Sequence, residues 1–251
     1  MSRRSRRRHG PSRAPGVAPP ARTRLIGIDA LRGIGIVLMV AYHFAFDLAW
    51  FRVIDADFNH DRFWLVARAC IVTLFLALVG VSLVLAKRAH PGPHAFWRRI
   101  ALIAGCAIVV TIASYVTFPQ TFITFGILHA IAVSSLLARP LIDFPRTALA
   151  LGVAIIAVGT TVQLPLFDLP WLNWVGLMTH KPPTEDYVPL LPWFGVVLVG
   201  VALGAVLPRA RIALDRMSRF TPNWLAWLGR HSLLIYLVHQ PVLIGALRVI
   251  V

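Results

Sequence analysis

Read for its apolar and polar positions, the chain divides into seven long apolar windows joined by polar connections. A membrane span needs about 20 mostly apolar residues, because about 30 Å of hydrocarbon is crossed at about 1.5 Å per residue. Windows of that kind run approximately over 33–53, 63–86, 98–117, 121–138, 147–165, 189–207 and 231–250. They predict an all-α, polytopic bundle of about seven transmembrane helices, without an internal repeat or a second soluble domain. Ahead of them, residues 1–23 are rich in Arg, Pro and Ser and have no large apolar run. That composition predicts a disordered basic cytoplasmic tail followed by one transmembrane domain over 24–251. A signal peptide is disfavoured, since the apolar run after Gly33 is as long as a full span and lacks a small-residue cleavage site.

Charge placement orients the bundle. With the N-terminus inside, segments 1–32, 87–99, 139–146 and 208–230 hold 20 Lys and Arg. The outer segments keep Arg52, Arg62, Lys181 and Arg248. Lys and Arg accumulate on the cytoplasmic side of membrane proteins, so the expected topology is N-in and C-out. The outer loop "LFDLPWLNWVGLMTHKPPTEDYVPLLPWFG" is long and carries three Trp and five Pro. Its Trp174 region either lies in the interface or folds back as a lid.

Composition agrees with a membrane protein. The chain of 251 residues is 58% hydrophobic and 14% charged, and its formal net charge is +15. A basic balance can signal nucleic acid, but here the charges sit between apolar spans and answer to topology and anionic lipid. Cys70 and Cys106 both fall inside windows without C-x-x-C spacing, so neither a zinc site nor a structural disulfide is expected. No G-x-x-x-x-G-K-[ST] or G-x-G-x-x-G occurs, which leaves nucleotide-triphosphate and Rossmann sites without support.

Against that background, the first window is unusual. "GIDALRGIGIVLMVAYHFAFDLAWF" carries Asp29, Arg32, His43 and Asp47. An ionisable residue in hydrocarbon costs several kcal/mol on insertion scales and almost always faces the protein interior. Asp29 and Arg32 are three apart and can pair on one helical face. His43 lies near the midplane by count, with Asp47 one turn further out at i+4. From Asp29 to His43 is about four turns, so all four fall near one face. His129 and His239 sit near the middle of the fourth and seventh windows, and Arg68 near the depth of Asp47. Three histidines on three helices would surround one polar cavity, with an Asp47–Arg68 ion pair beside it. His43 with Asp47 suits a general base and its orienting carboxylate. Neither His43 nor His239 has an H-x₃-H partner, so no metal is expected. At the inner mouth, Lys87, Arg88, Arg98, Arg99 and Arg230 suit either lipid headgroups or the phosphates of a donor such as a coenzyme A thioester.

The opening block "RLIGIDALRGIGIVLMVAYHFAFDL" resembles the first helix of the heparan-α-glucosaminide N-acetyltransferase catalytic-domain family, in its bacterial branch. "FGILHAIAVSSLLARP", "DYVPLLPWFGVVLVGVALG" and "WLGRHSLLIYLVHQPV" are similar to later blocks of that family, in the same order, over about residues 24–250. The D-x-L-R-G start and the His fourteen residues after its Asp also resemble the wider membrane acyltransferases that acylate cell-surface sugars. The resemblance implies an integral enzyme of a bacterial inner membrane. Such enzymes take acetyl from cytosolic acetyl-CoA and deliver it to a carbohydrate or amino-sugar acceptor across the bilayer. It implies His43 as catalytic base, with Arg32 in the same motif that Asp29 opens. The residues themselves add Asp47 as the orienting carboxylate, His129 and His239 as cavity-lining groups, and Arg98, Arg99 and Arg230 as holders of the donor's phosphates. In the animal lysosomal enzymes the active His lies in the loop after the first span. His60, in "ADFNHDRFW", falls near that place among unmatched neighbours and stands as a second candidate. Homo-oligomerisation is left open. The rival classes are a transporter or proton-coupled channel using the buried His/Asp set as a relay, and a structural subunit whose polar residues would tolerate apolar replacement.

Overall fold

A computed structural model describes residues 25–89, 92–207 and 221–250. The expected basic tail, residues 1–23, lies outside the described residues, and so does most of the inner segment 208–230. All seven apolar windows are helical over most of their length, and the described residues contain no strand. The helices are α1 (Ile26–Trp50), α2 (Arg62–Ala89), α3 (Pro93–Thr117), α4 (Ile127–Ala138), α5 (Pro145–Thr161), α6 (Leu190–Val206), α7 (Asn223–Arg230) and α8 (Ser232–Ile250).

Four of them, α1, α2, α3 and α8, are long and apolar enough to cross a membrane by length and composition. The helices in the other three windows are shorter than expected, at 12, 17 and 17 residues. The chemistry at their ends explains this. Residues 121–126 are apolar but non-helical, and α4 starts only after Gly126. Thr161 is the last helical residue of α5, ahead of "VQLP". At about 1.5 Å per residue α4 spans roughly 18 Å, well short of the hydrocarbon thickness.

Helix α6 is the hub, packed between α2 and α5 and touching α4. Its glycines allow that. A Cβ on Gly200 would sit 2.2 Å from the Ala77 carbonyl oxygen, and one on Gly195 would sit 2.5 Å from the Gly152 oxygen. In return Gly80 and Gly152 admit α6 backbone at 2.1 and 2.8 Å from their missing Cβ. Where lipid offers no hydrophobic drive between helices, such close approach gains dispersion contacts. Leu76, Val197, Leu198 and Val201 are fully buried there. The outward sides of α3 and α8 instead carry Leu102, Ile108, Ile112, Val116, Leu234 and Val242, all exposed in the isolated chain. Apolar residues on the outside of long helices are what a bilayer covers.

Two contacts position the site. Helix α7 lies along the first half of α1 so closely that a Cβ on Gly229 would be 1.7 Å from the Asp29 carbonyl oxygen. Helix α8 then runs beside α1, with Pro241 inside it. Proline has no N–H to donate, so the Leu237 carbonyl loses its usual i+4 partner just where His239 and Gln240 face α1.

Candidate functional site

The first turns of α1 hold the expected Asp29–Arg32 pair, at 3.2 Å with Asp29 buried. Arg32 also donates to the Ser82 hydroxyl of α2, which itself bonds the Leu78 carbonyl oxygen. Three helical turns further, His43 meets His239 of α8, with ring centroids 4.8 Å apart. His43 lies eighteenth in a helix of 25 residues and so falls in the last third of α1, about 10 Å from its C-terminal end. Seven residues ahead of the window's expected start at 33 are also helical.

Hydrogen bonding fixes the tautomers. His43 Nδ1 lies 3.0 Å from the Met39 carbonyl oxygen, and His239 Nδ1 lies 2.7 Å from that of Tyr236. A carbonyl can only accept, so each Nδ1 carries the proton. His239 Nε2 is then a lone pair, 3.3 Å from His43 Nδ1, and accepts a second branch of the same proton. The outcome is a bare Nε2 on His43, with its opposite nitrogen held by a second imidazole.

Asp47 is not the group that orients His43. Its Oδ1 accepts from Gln240 Nε2 at 2.6 Å, and its Oδ2 has no partner. Nor does it pair with Arg68. Asp47 faces α8, whereas the Arg68 charge acts on Tyr42 and on Lys181 of the loop between α5 and α6. Helix sidedness separates the two: Asp47 and Tyr42 are five residues apart and point in different directions.

His129 belongs to a neighbouring cluster rather than to the His43–His239 pair. The late start of α4 places it in the first helical turn, not mid-span. Its Nδ1 accepts the Gly126 N–H at 3.3 Å, so its Nε2 carries the proton toward Thr111 Oγ1, also 3.3 Å away. The Asp186 charge acts on both His129 and His239. Asp186 Oδ2 caps α4 by accepting the Ile127 N–H at 2.9 Å, and accepts the Tyr236 hydroxyl at 3.2 Å. Burial raises the Asp186 carboxyl above the ordinary range, against the pull of those two donors.

Asp186 comes from the long loop between α5 and α6, which is a folded cap. The Thr184–Val188 stretch bonds back to Thr121, Phe122 and Phe125. The Thr179 hydroxyl and N–H hold Asp168 at 2.7 and 2.8 Å and keep its carboxyl below the usual range. Trp174 meets the Phe125 ring, and Gly176 adopts a φ of 98° against the Leu191 carbonyl. Sequence reasoning missed Asp186, Tyr236, Gln240 and Ser82. Gln240 and Ser82 were polar residues inside apolar windows, and that was the available signal.

Of the expected donor-binding arginines, Arg99 lies near enough to Arg32 for their charges to act on each other. Arg230 ends α7, one residue after the contact with Asp29, and Arg98 is exposed beside Arg99. The alternative base, His60, is an exposed loop residue. Its Nδ1 meets Asp57 Oδ2 at 2.8 Å. The Asn59 N–H, with His60 behind it, holds the Asp57 carboxyl below its usual range. No group of three or more His, Cys, Asp or Glu able to hold a metal occurs among the described residues. Cys70 is exposed and Cys106 half-buried, and both are free thiols.

The profile of the heparan-alpha-glucosaminide N-acetyltransferase catalytic family matches residues 24–241. No curated protein and no solved structure matches the chain. Because the match covers most of its length, from ahead of α1 into α8, the chain belongs to that family of membrane acetyltransferases.

Proposed function

We propose that this protein is an acetyltransferase of about seven spans, N-in and C-out, in a bacterial inner membrane. It moves acetyl from cytosolic acetyl-CoA to a sugar or amino-sugar acceptor on the far side. The observation that carries this reading is the bare Nε2 of His43, on a proton-fixed imidazole backed by His239. A lone pair with its tautomer set by the opposite nitrogen is what a general base requires.

The steps follow from that arrangement. An acceptor amine or hydroxyl attacks the thioester carbonyl while His43 Nε2 removes its proton. The ring is then positive, and its Nδ1–H bond to His239 Nε2 becomes charge-assisted. The thiolate leaves as the tetrahedral centre collapses, and His43 returns the proton to it. A covalent acetyl-histidine on the same Nε2 is the other route open to this geometry. Arg32 and Arg99, whose charges act on each other, would take the donor's phosphates together with Arg98 and Arg230, a role suited to guanidinium. Asp29 and Ser82 hold Arg32 in place. Asp186 supports the acceptor side by tying α4, the cap and α8 together, and His129 ties α4 to α3 through Thr111.

The test uses the full chain in sealed proteoliposomes, with radiolabelled acetyl-CoA on one side and a panel of amino sugars and envelope glycans on the other. Label appearing on the acceptor only when the donor faces the tail side supports the reading. Acetyl-CoA that neither binds nor reacts, together with substrate-linked proton flux, would assign the buried histidines to transport.

A further inference from the structure

Asp47 is 3% exposed, yet only one of its two carboxylate oxygens has a partner. Gln240 donates to that oxygen through Nε2, and its own Oε1 is also buried and unpartnered. The hydrogen bond therefore holds two acceptor side chains together, each with an oxygen shielded from water and unsatisfied. Buried polar atoms are nearly always paired, and an orphan costs about 1–3 kcal/mol, so such a coincidence asks for an occupant. Both residues adjoin the proposed reaction site. Asp47 is one turn from His43 on α1, and Gln240 follows His239 on α8. The Glu185 carboxylate of the outer cap is close enough for its charge to act on Asp47. The surroundings thus offer acceptors and negative charge, and call for donors.

We propose that Asp47 and Gln240 form the acceptor subsite, binding through Asp47 Oδ2 and Gln240 Oε1 a ligand with two adjacent hydrogen-bond donors, as in a vicinal amino alcohol or diol. This rests on the acetyltransferase reading for its purpose but not for its test. One donor is held by the carboxylate and the second by the amide carbonyl. The ligand is thereby held one helical turn along α1 from the residue that supplies the base, where loss of its proton is needed. Asp47 binds the acceptor, while His239 orients the base.

The experiment measures equilibrium binding of D-glucosamine, D-glucose and cyclohexylamine to the full chain in nanodiscs, with acetyl-CoA binding measured separately. Asp47→Asn replaces an acceptor oxygen by a donor. Gln240→Leu removes the second acceptor at similar volume, and carries the same test should Asp47→Asn not fold. Each variant is expected to weaken the sugar tenfold or more and to leave acetyl-CoA affinity within twofold. Glucosamine binding tighter than glucose identifies the amine as one of the two donors, and equal binding identifies a diol. Both sugars bind more tightly than cyclohexylamine, which has a single donor group. Unchanged sugar affinity in Asp47→Asn would overturn the subsite. So would a wild type that binds neither sugar. Loss of acetyl-CoA binding alone would strike the donor reading and leave the subsite standing.

Discussion

Replacing His239 by Ala isolates the contribution of the second imidazole. In the resting site it accepts one branch of the His43 Nδ1–H at 3.3 Å, while Met39 accepts the other at 3.0 Å. That branch is the weaker, and removing it alone would cost little. When His43 takes a proton, the bond becomes one from a cation, and such bonds contribute about 1.5–3 kcal/mol. At 1.36 kcal/mol per decade, kcat should fall about 10- to 150-fold in His239→Ala, with the acetyl-CoA KM unchanged. Removing the base itself in His43→Ala should cost about 10²- to 10⁴-fold. Because His239 acts through His43, the double variant should be no slower than His43→Ala. Steady-state acetyl transfer in nanodiscs reads all three. Full activity in His239→Ala, or a double variant whose losses multiply, would refute this role for His239.

Gly229→Ala should lower thermal stability by at least the roughly 1–3 kcal/mol typical of overpacking, because its Cβ lands on the Asp29 carbonyl oxygen. It should also weaken acetyl-CoA binding by moving Arg230, whereas Gly105→Ala, with nothing within 4 Å, should do neither in the same melts and titrations. Asp186→Ala strands the Ile127 N–H and the Tyr236 hydroxyl, at about 1–3 kcal/mol each, and should melt earlier than Asp186→Asn, whose carbonyl oxygen can still accept. The Asp168 carboxyl is held below its ordinary range, so its contribution to the outer cap is complete above about pH 4 and is lost as pH falls through the lowered value. Fluorescence of the cap tryptophans should therefore show an acid transition that is absent in Asp168→Asn.

Much of this was legible in the sequence. Helix positions, the Asp29–Arg32 pair and the meeting of His43 with His239 follow from apolar periodicity and spacing. Helix lengths were less legible, because "TFITFG" is as apolar as a helix and only Gly126, capped through Asp186, marks where α4 begins. The same shift moved His129 from the middle of a helix to the first turn of α4. The partners of Asp47 were misjudged for a related reason. Spacing of i+4 permits a His43–Asp47 contact, but Gln240 on the neighbouring helix supplies an amide donor, and pairing across helices wins. Asp186 could not be found from local pattern at all. It is one acid among several in a polar loop, and only tertiary folding of the cap brings it to Tyr236.

The central claim is that His43 Nε2 is the base for acetyl transfer. Its most direct test is acetyl transfer by the purified full chain, with His43→Ala and His60→Ala measured side by side at saturating acetyl-CoA. His60 is exposed and bonded only to Asp57 in its loop, so its loss should leave the rate within about twofold, while loss of His43 should lower it at least about 100-fold with acetyl-CoA still bound. Full activity in His43→Ala, or collapse in His60→Ala alone, would contradict the account.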